Sequence, residues 1–168
     1  MPHISNTNII VDDFRYSNRN GLCCNYIFFL SHMHADHYRG ISNSFNTGKI
    51  FCSKETAILL ECKFPGVKHL IITLEYNKPY KIILNEKNDL YATVVFMDAN
   101  HIIGSSMILF MGYFGNILYS GDLRYHDKLL KDNYFLFNPN GSLNYPIDEL
   151  ILDNTYCDPI FAFPSQVS

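Results

Sequence analysis

Apolar positions in this chain fall into short runs instead of long amphipathic stretches. Ile9 to Val11, Tyr26 to Ser31, Lys49 to Cys52, Pro79 to Leu84, Tyr91 to Met97, Met107 to Met111, Asn116 to Ser120 and Leu150 to Asp153 are short and rich in β-branched or aromatic residues. That pattern predicts strands. A helical pattern is clear only from Ser53 to Leu60, where Ser53 can cap the first turn and Ile58 to Leu60 supply an apolar face. A second, shorter helix is expected from about Asp36 to Gly40. The stretch from Asn138 to Pro146 reads as a loop by its Gly, Pro and Asn content. Strands whose following loops carry His and Asp imply an α/β sandwich with its site along one sheet edge. No helical pattern closes the last strand before Ser168, so the sequence reads as one incomplete domain over residues 1–168. An incomplete sandwich predicts one inner sheet face open to water, at Tyr91 to Met97 and Met107 to Met111.

Length and charge narrow the function classes. The 168 residues amount to one domain, and 48% hydrophobic residues against 17% charged exclude wholesale disorder. A formal net charge of −3 argues against a broad basic surface for nucleic acid, so a polyanion would have to be gripped locally. The longest apolar run, Tyr26 to Leu30, is far too short to span a bilayer, and Asp12, Asp13, Arg15 and Arg19 interrupt any signal-peptide pattern. The 5 cysteines (Cys23, Cys24, Cys52, Cys62, Cys157) form no CxxC pair and leave one over. Neither a disulfide framework nor a zinc finger follows, and reduced thiols in a nuclear or cytosolic compartment are the simplest reading.

The candidate chemistry is concentrated after one strand, in Ser31-His32-Met33-His34-Ala35-Asp36-His37. His32 and His34 are two apart, so in an extended segment they face the same way and can share one metal. Asp36 and His37 fall where the chain turns, which aims them elsewhere and suits a second metal. His101, after the strand Tyr91 to Met97, supplies the third imidazole that a catalytic zinc needs beside its open position. Asp122, in Ser120-Gly121-Asp122 after another strand, becomes the carboxylate that bridges two cations. Asp12 or Asp13 would then accept a hydrogen bond from a ligand His and orient it.

The order strand-Asp, HxHxDH, strand-His, strand-Gly-Asp resembles the metallo-β-lactamase superfamily, an αββα sandwich with a metal site at one edge. The resemblance runs from about Ile9 to Pro164. Phe28 to His37, Met97 to His101, Gly112 to Tyr125 and Leu152 to Pro159 are similar to the DNA-processing branch of the β-CASP nucleases, the Apollo and Artemis cross-link-repair group. Thr155-Tyr156-Cys157-Asp158-Pro159 is the form of that branch, whereas RNA-cleaving members carry Ser-Thr-Tyr-Gly there. His101-Ile102-Ile103-Gly104 departs from the branch's usual His-Cys-Pro-Gly. Family members continue into a β-CASP cap and then a C-terminal half that supplies a further His, neither of which is in this sequence.

The resemblance implies a zinc-dependent, two-metal phosphodiesterase. It would act as a 5′-to-3′ DNA exonuclease on 5′ ends in the nucleus, in interstrand cross-link repair and telomere-end processing, with telomere or repair proteins as partners through regions outside this chain and no membrane. His32, His34 and His101 would hold the first metal, Asp36 and His37 the second, and Asp122 would bridge. Asp36 and Asp122 would be the catalytic carboxylates, and Asp153 would organise the site without being a direct ligand. Arg124 is a candidate for a phosphate contact or a structural ion pair. Two other readings remain open: a truncated, inactive metal-binding fragment, and a metallo-hydrolase of small esters or lactams on the same fold.

Overall fold

The computed structural model describes residues 3–15, 26–125, 129 and 133–161. Arg19, Cys23, Cys24 and Pro164, which enter the sequence reading, lie outside the described residues. Nine strands are described: β1 (Ile9–Val11), β2 (Ile27–Phe29), β3 (Ile50–Ser53), β4 (Ile71–Leu74), β5 (Pro79–Asn85), β6 (Leu90–Asp98), β7 (Ser106–Gly112), β8 (Gly115–Tyr119) and β9 (Glu149–Ile151). Between β3 and β4 lie one α-helix, α1 (Lys54–Lys63), and a 3-10 helix (Pro65–Leu70). The first four strands form a parallel sheet in the order β1-β2-β3-β4. The other five form a sheet in the order β5-β6-β7-β8-β9, antiparallel except for the parallel pair β8-β9.

The two sheets share one core. Phe29 from the parallel sheet packs against Phe96 and Phe110 of the second sheet, with ring centroids 6.2 and 5.0 Å away. Ile9, Val11, Phe51, Val94 and Ile108 complete this layer. The outer face of the parallel sheet is covered by Ala57 and Leu60 of α1 and by Val67 and Leu70 of the 3-10 helix, against Phe28, Ile50 and Cys52. On the far side of the second sheet, Val95, Met97, Met107 and Leu109 are covered by Leu136, Phe135 and Ile147 from the irregular segment after β8. The strands β6 and β7 are therefore buried on both faces. This corrects the expectation of an open inner sheet face at Tyr91 to Met97 and Met107 to Met111: the parallel sheet covers that face, the segment around Leu136 covers the outer one, and Tyr91 alone of these residues is exposed. The exposed apolar residues instead include Leu150, Leu152 and Ile160, on and after the edge strand β9.

Helix α1 forms where the pattern placed it. Ser53 accepts from the Thr56 N–H at 3.2 Å as its N-cap. Strand β4, absent from the strands expected from the sequence, is a short edge strand with Ile71 and Ile72 half-buried, Thr73 exposed and Leu74 buried. The short helix expected from Asp36 to Gly40 does not form. That segment is a series of turns, with His37 N and Tyr38 N both donating to His34 O. Gly40 has φ 99 and lies so close to Phe14 that an added Cβ would sit 2.5 Å from its backbone carbon, which pins the turn under the end of β1. Among the described residues no helix is long and apolar enough to cross a membrane.

Candidate metal centre

Each chemical side chain projects from the segment following a strand, and the four segments meet at one end of the molecule. Asp12 follows β1, the His32 to His37 loop follows β2, His101 lies between β6 and β7, and Asp122 follows β8. Backbone hydrogen bonds fix these segments to one another: Asp12 N to Phe29 O at 3.0 Å, Ser106 N to Ser31 O at 3.0 Å, and Arg124 N to Ala99 O at 3.1 Å. The second of these stitches the parallel sheet to the other sheet beside the site. The His101 loop is fastened from another side, since Gly104 O accepts from Ser53 Oγ at 2.7 Å and from Thr56 Oγ1 at 2.9 Å at the start of α1. Gly104 has φ 80, and an added Cβ would lie 2.7 Å from Thr56 N.

His32, His34, His101 and Asp122 come together with one donor atom each, all within 4.8 Å of one another. His32 Nε2, His101 Nε2 and His34 Nδ1 lie 3.5, 3.3 and 3.8 Å from Asp122 Oδ2, and the His101 and His34 nitrogens are 3.0 Å apart. A zinc ion with ligand bonds of about 2.0–2.1 Å in tetrahedral geometry has donors about 3.3 Å apart, so these spacings suit one such ion. His32 adds an independent sign. Its side chain is 0% exposed, and Nε2 has no hydrogen-bond partner. A buried ring nitrogen without a partner is costly unless a cation or proton takes its lone pair. A proton is disfavoured there, because burial and then the neighbouring His37 push the His32 pKa down to about 3. Burial also lowers that of His101.

The other oxygen of the same carboxylate faces a different partner. Asp122 Oδ1 lies 3.0 Å from His37 Nε2, and Asp36 Oδ2 is 3.6 Å from that nitrogen. The two oxygens of Asp122 thus serve the two groups of donors. Burial opposes a charge on His37, but the Asp12 hydrogen bond and the nearby Asp12 and Asp122 charges outweigh it and raise its pKa. Asp36 remains 62% exposed.

Asp12, at φ 53, accepts from His37 Nδ1 at 2.8 Å, while the Asp13 carboxylate is gripped by Arg15 Nε and Nη2, both at 2.9 Å. Of the two residues offered by the sequence, Asp12 is the one whose carboxylate reaches a histidine of the cluster. Asp153 accepts from Leu123 N and from the Thr155 N–H and hydroxyl, and its own N–H donates to Ser120 Oγ, so it braces the loop that carries Asp122. Burial would raise its pKa, but these hydrogen bonds outweigh burial and hold it low. Ser31 and Tyr119 were missed as site residues. Ser31 Oγ donates to Asp12 Oδ2 at 2.6 Å and meets His32 Nδ1 at 2.9 Å, and the Tyr119 hydroxyl donates to the same oxygen at 2.8 Å. The signal for Tyr119 was its parity with the inward-facing Ile117 in β8, because a buried Tyr must find an acceptor.

Two clefts, of about 530 and 510 Å³, flank the cluster. One is lined by Tyr76, Asp98, Asn100 and His101, the other by Ser120, Asp122, Glu149 and Asp153. A larger one, of about 890 Å³, opens at the opposite end among Lys49, Lys81 and Lys87. It is remote from the cluster and contains none of its residues.

Fold and site together define a two-sheet α/β protein that gathers, at the ends of its strands, three imidazoles and a carboxylate that could hold a metal ion. The chain is 42% identical over 140 residues to 5′ exonuclease Apollo of Rattus norvegicus, covering 83% of this chain and 25% of that protein. It is 35% identical over 161 residues to DNA cross-link repair protein SNM1 of Arabidopsis thaliana, covering 95% and 30%. To DNA cross-link repair protein PSO2/SNM1 of Saccharomyces cerevisiae it is 33% identical over 175 residues, covering 95% and 25%. No protein-family profile matches the chain. The chain is thus similar to the Apollo and SNM1/PSO2 proteins, and it spans only about a quarter of the length of these relatives.

Proposed function

We propose that this chain carries the metal-ligand half of a metallo-β-lactamase-type αββα nuclease module, a zinc-dependent 5′-to-3′ DNA exonuclease of the Apollo kind acting on 5′ ends in the nucleus. The observation that carries the reading is the convergence of His32, His34, His101 and Asp122 from three separate loops onto one cation-sized space. The donor chemistry of three imidazole nitrogens and one carboxylate oxygen suits zinc. His32, His34 and His101 would hold the first ion, Asp36 and His37 the second, with Asp122 shared between them. Zinc so held supplies charge neutralisation for a phosphodiester and lowers the pKa of water toward neutrality. The protein's own part is to fix the donors: Asp12 aims His37, Asp153 braces the Asp122 loop, and the tie between Gly104 and α1 holds the His101 loop. Roles in cross-link repair and telomere-end processing, with telomere or repair proteins as partners, belong to the same reading, as does incompleteness of the domain within residues 1–168.

A second reading, an inactive metal-binding fragment, is favoured by one specific observation. The second donor group consists of only His37 and the largely exposed Asp36 beside the shared Asp122. Release of 5′ nucleotides from a 5′-phosphorylated oligonucleotide by zinc-loaded protein, with no turnover of a chromogenic lactam, is the expected result. Lactam turnover without DNA cleavage would assign the site to small substrates, and zinc binding without either activity would favour the inactive reading.

A further inference from the structure

Four donors converge on the carboxylate of Asp12. Ser31 N–H reaches Oδ1 at 2.8 Å, and Ser31 Oγ, His37 Nδ1 and the Tyr119 hydroxyl reach Oδ2 at 2.6, 2.8 and 2.8 Å. Each carboxylate oxygen offers about two lone-pair positions, so Oδ2, which faces His37, is already crowded by three donors, and Asp12 acts on the cluster through its neighbours. The proton count then decides the rest. A carboxylate only accepts, so the single hydroxyl proton of Ser31 goes to Asp12. Ser31 Oγ therefore has only lone pairs to offer His32 Nδ1, 2.9 Å away, and the Nδ1 must carry the hydrogen. A neutral imidazole has one such hydrogen, which leaves a bare lone pair on His32 Nε2, the buried nitrogen with no partner at the centre of the cluster. His37 also turns its Nδ1 to Asp12, but its Nε2 faces the Asp122 carboxylate, so the count fixes the hydrogen of His32 alone. Tyr119 is the third donor on Oδ2, and burial, then Asp12, raises its pKa, so it keeps the proton it gives.

We propose that Ser31, Asp12 and Tyr119 form a tautomer lock: they hold the ring proton of His32 on Nδ1 and so present its Nε2 lone pair to the cation site before any cation arrives. All three are positioning residues. Asp12 sits in the left-handed region at φ 53, a conformation that costs a non-glycine residue energy and that here lets one carboxylate reach β2, the His37 turn and β8 together. Without the lock, a ring free to place its proton on Nε2 would have to lose or move it each time a metal binds.

The inference rests on reading the cluster as a metal centre, and its test separates the two. The chain, labelled with ¹⁵N-histidine and freed of metal by a chelator, is examined by long-range ¹H–¹⁵N correlation, which distinguishes Nδ1–H from Nε2–H imidazole. His32 is expected in the Nδ1–H form. Ser31→Ala should lose that signature and lower zinc affinity by about 10- to 100-fold, as removal of such outer partners does, and Ser31→Thr should restore both. An Nε2–H pattern for His32 in the unsubstituted chain overturns the lock, as does a folded Ser31→Ala variant that keeps both the Nδ1–H signature and its zinc affinity. Should Ser31→Ala fail to fold, the tautomer of the unsubstituted chain and of Ser31→Thr still decides. An Nδ1–H signature in a chain that binds no zinc would leave the lock standing and overturn the metal centre instead.

Discussion

The two halves of the donor cluster are built differently. His32, His34, His101 and the Oδ2 of Asp122 come from three loops tied together by backbone hydrogen bonds, and His32 is wholly buried. Asp36 and His37 share a single turn, and only His37 is held, by Asp12, while Asp36 extends largely into solvent. Donors already in place bind an ion without paying for their own ordering, whereas an exposed carboxylate must be fixed first. The contrast therefore implies unequal affinities: one ion held firmly, a second weakly.

The sharpest way to break the contrast is to remove the residue common to both halves. Asp122→Asn should lower the affinity for the first zinc by at least about 100-fold and abolish the second site, since a neutral amide no longer balances either cation. Competition against a chromophoric chelator measures this. Unchanged affinity would remove Asp122 from the centre. Asp36→Asn separates the halves: the first ion should bind within about threefold of normal, while nuclease activity in a protein of the relatives' length should largely disappear. Near-normal turnover there would sink the two-metal mechanism.

Two smaller effects probe the scaffold under the firmer half. Gly104→Ala forces a side chain into φ 80 and toward Thr56 N, so it should cost ~1–3 kcal/mol in denaturant melts and loosen the His101 loop. Ser53→Ala removes the α1 cap and one of the two side-chain donors from α1's first turn to Gly104 O, and a loss of ~1 kcal/mol is expected, with a smaller effect on zinc. A Ser53→Ala loss exceeding that of Gly104→Ala would show that the cap, and not the loop's close approach, holds the two together.

The same contrast runs through what could be read from sequence. The strands before His32, His101 and Asp122 were legible because each is a short, strongly apolar run, and donors in the segments that follow must then gather at the ends of the strands. The spacing of His32 and His34 on an extended segment named the firmer half directly. The segment from Asp36 to Gly40 was misread as a helix because its turn is set by Gly40 lying under Phe14, a contact between residues 26 apart that no local pattern reveals. Asp12 and Asp13 could not be told apart for a similar reason. The choice depends on the left-handed backbone of Asp12 and on Arg15 occupying Asp13, both facts of the third dimension. Ser31 and Tyr119 hid because a serine beside a histidine and a tyrosine in a strand are ordinary, and only their shared oxygen on Asp12 gives them a role. The buried outer face of β6 and β7 was likewise invisible, since the segment that covers it reads as loop.

On the proposed reading, this chain holds one metal ion at a preassembled set of donors and a second only weakly. Titrating the metal-free chain with cobalt(II), while following its visible absorption, tests it directly. The expected result is saturation at one equivalent with the intense bands of a tetrahedral nitrogen- and oxygen-ligated ion, followed by a separate, much weaker second phase that Asp36→Asn removes. A folded chain that binds no cobalt, or one whose first equivalent is lost on Asp36→Asn and kept on His32→Ala, would contradict it.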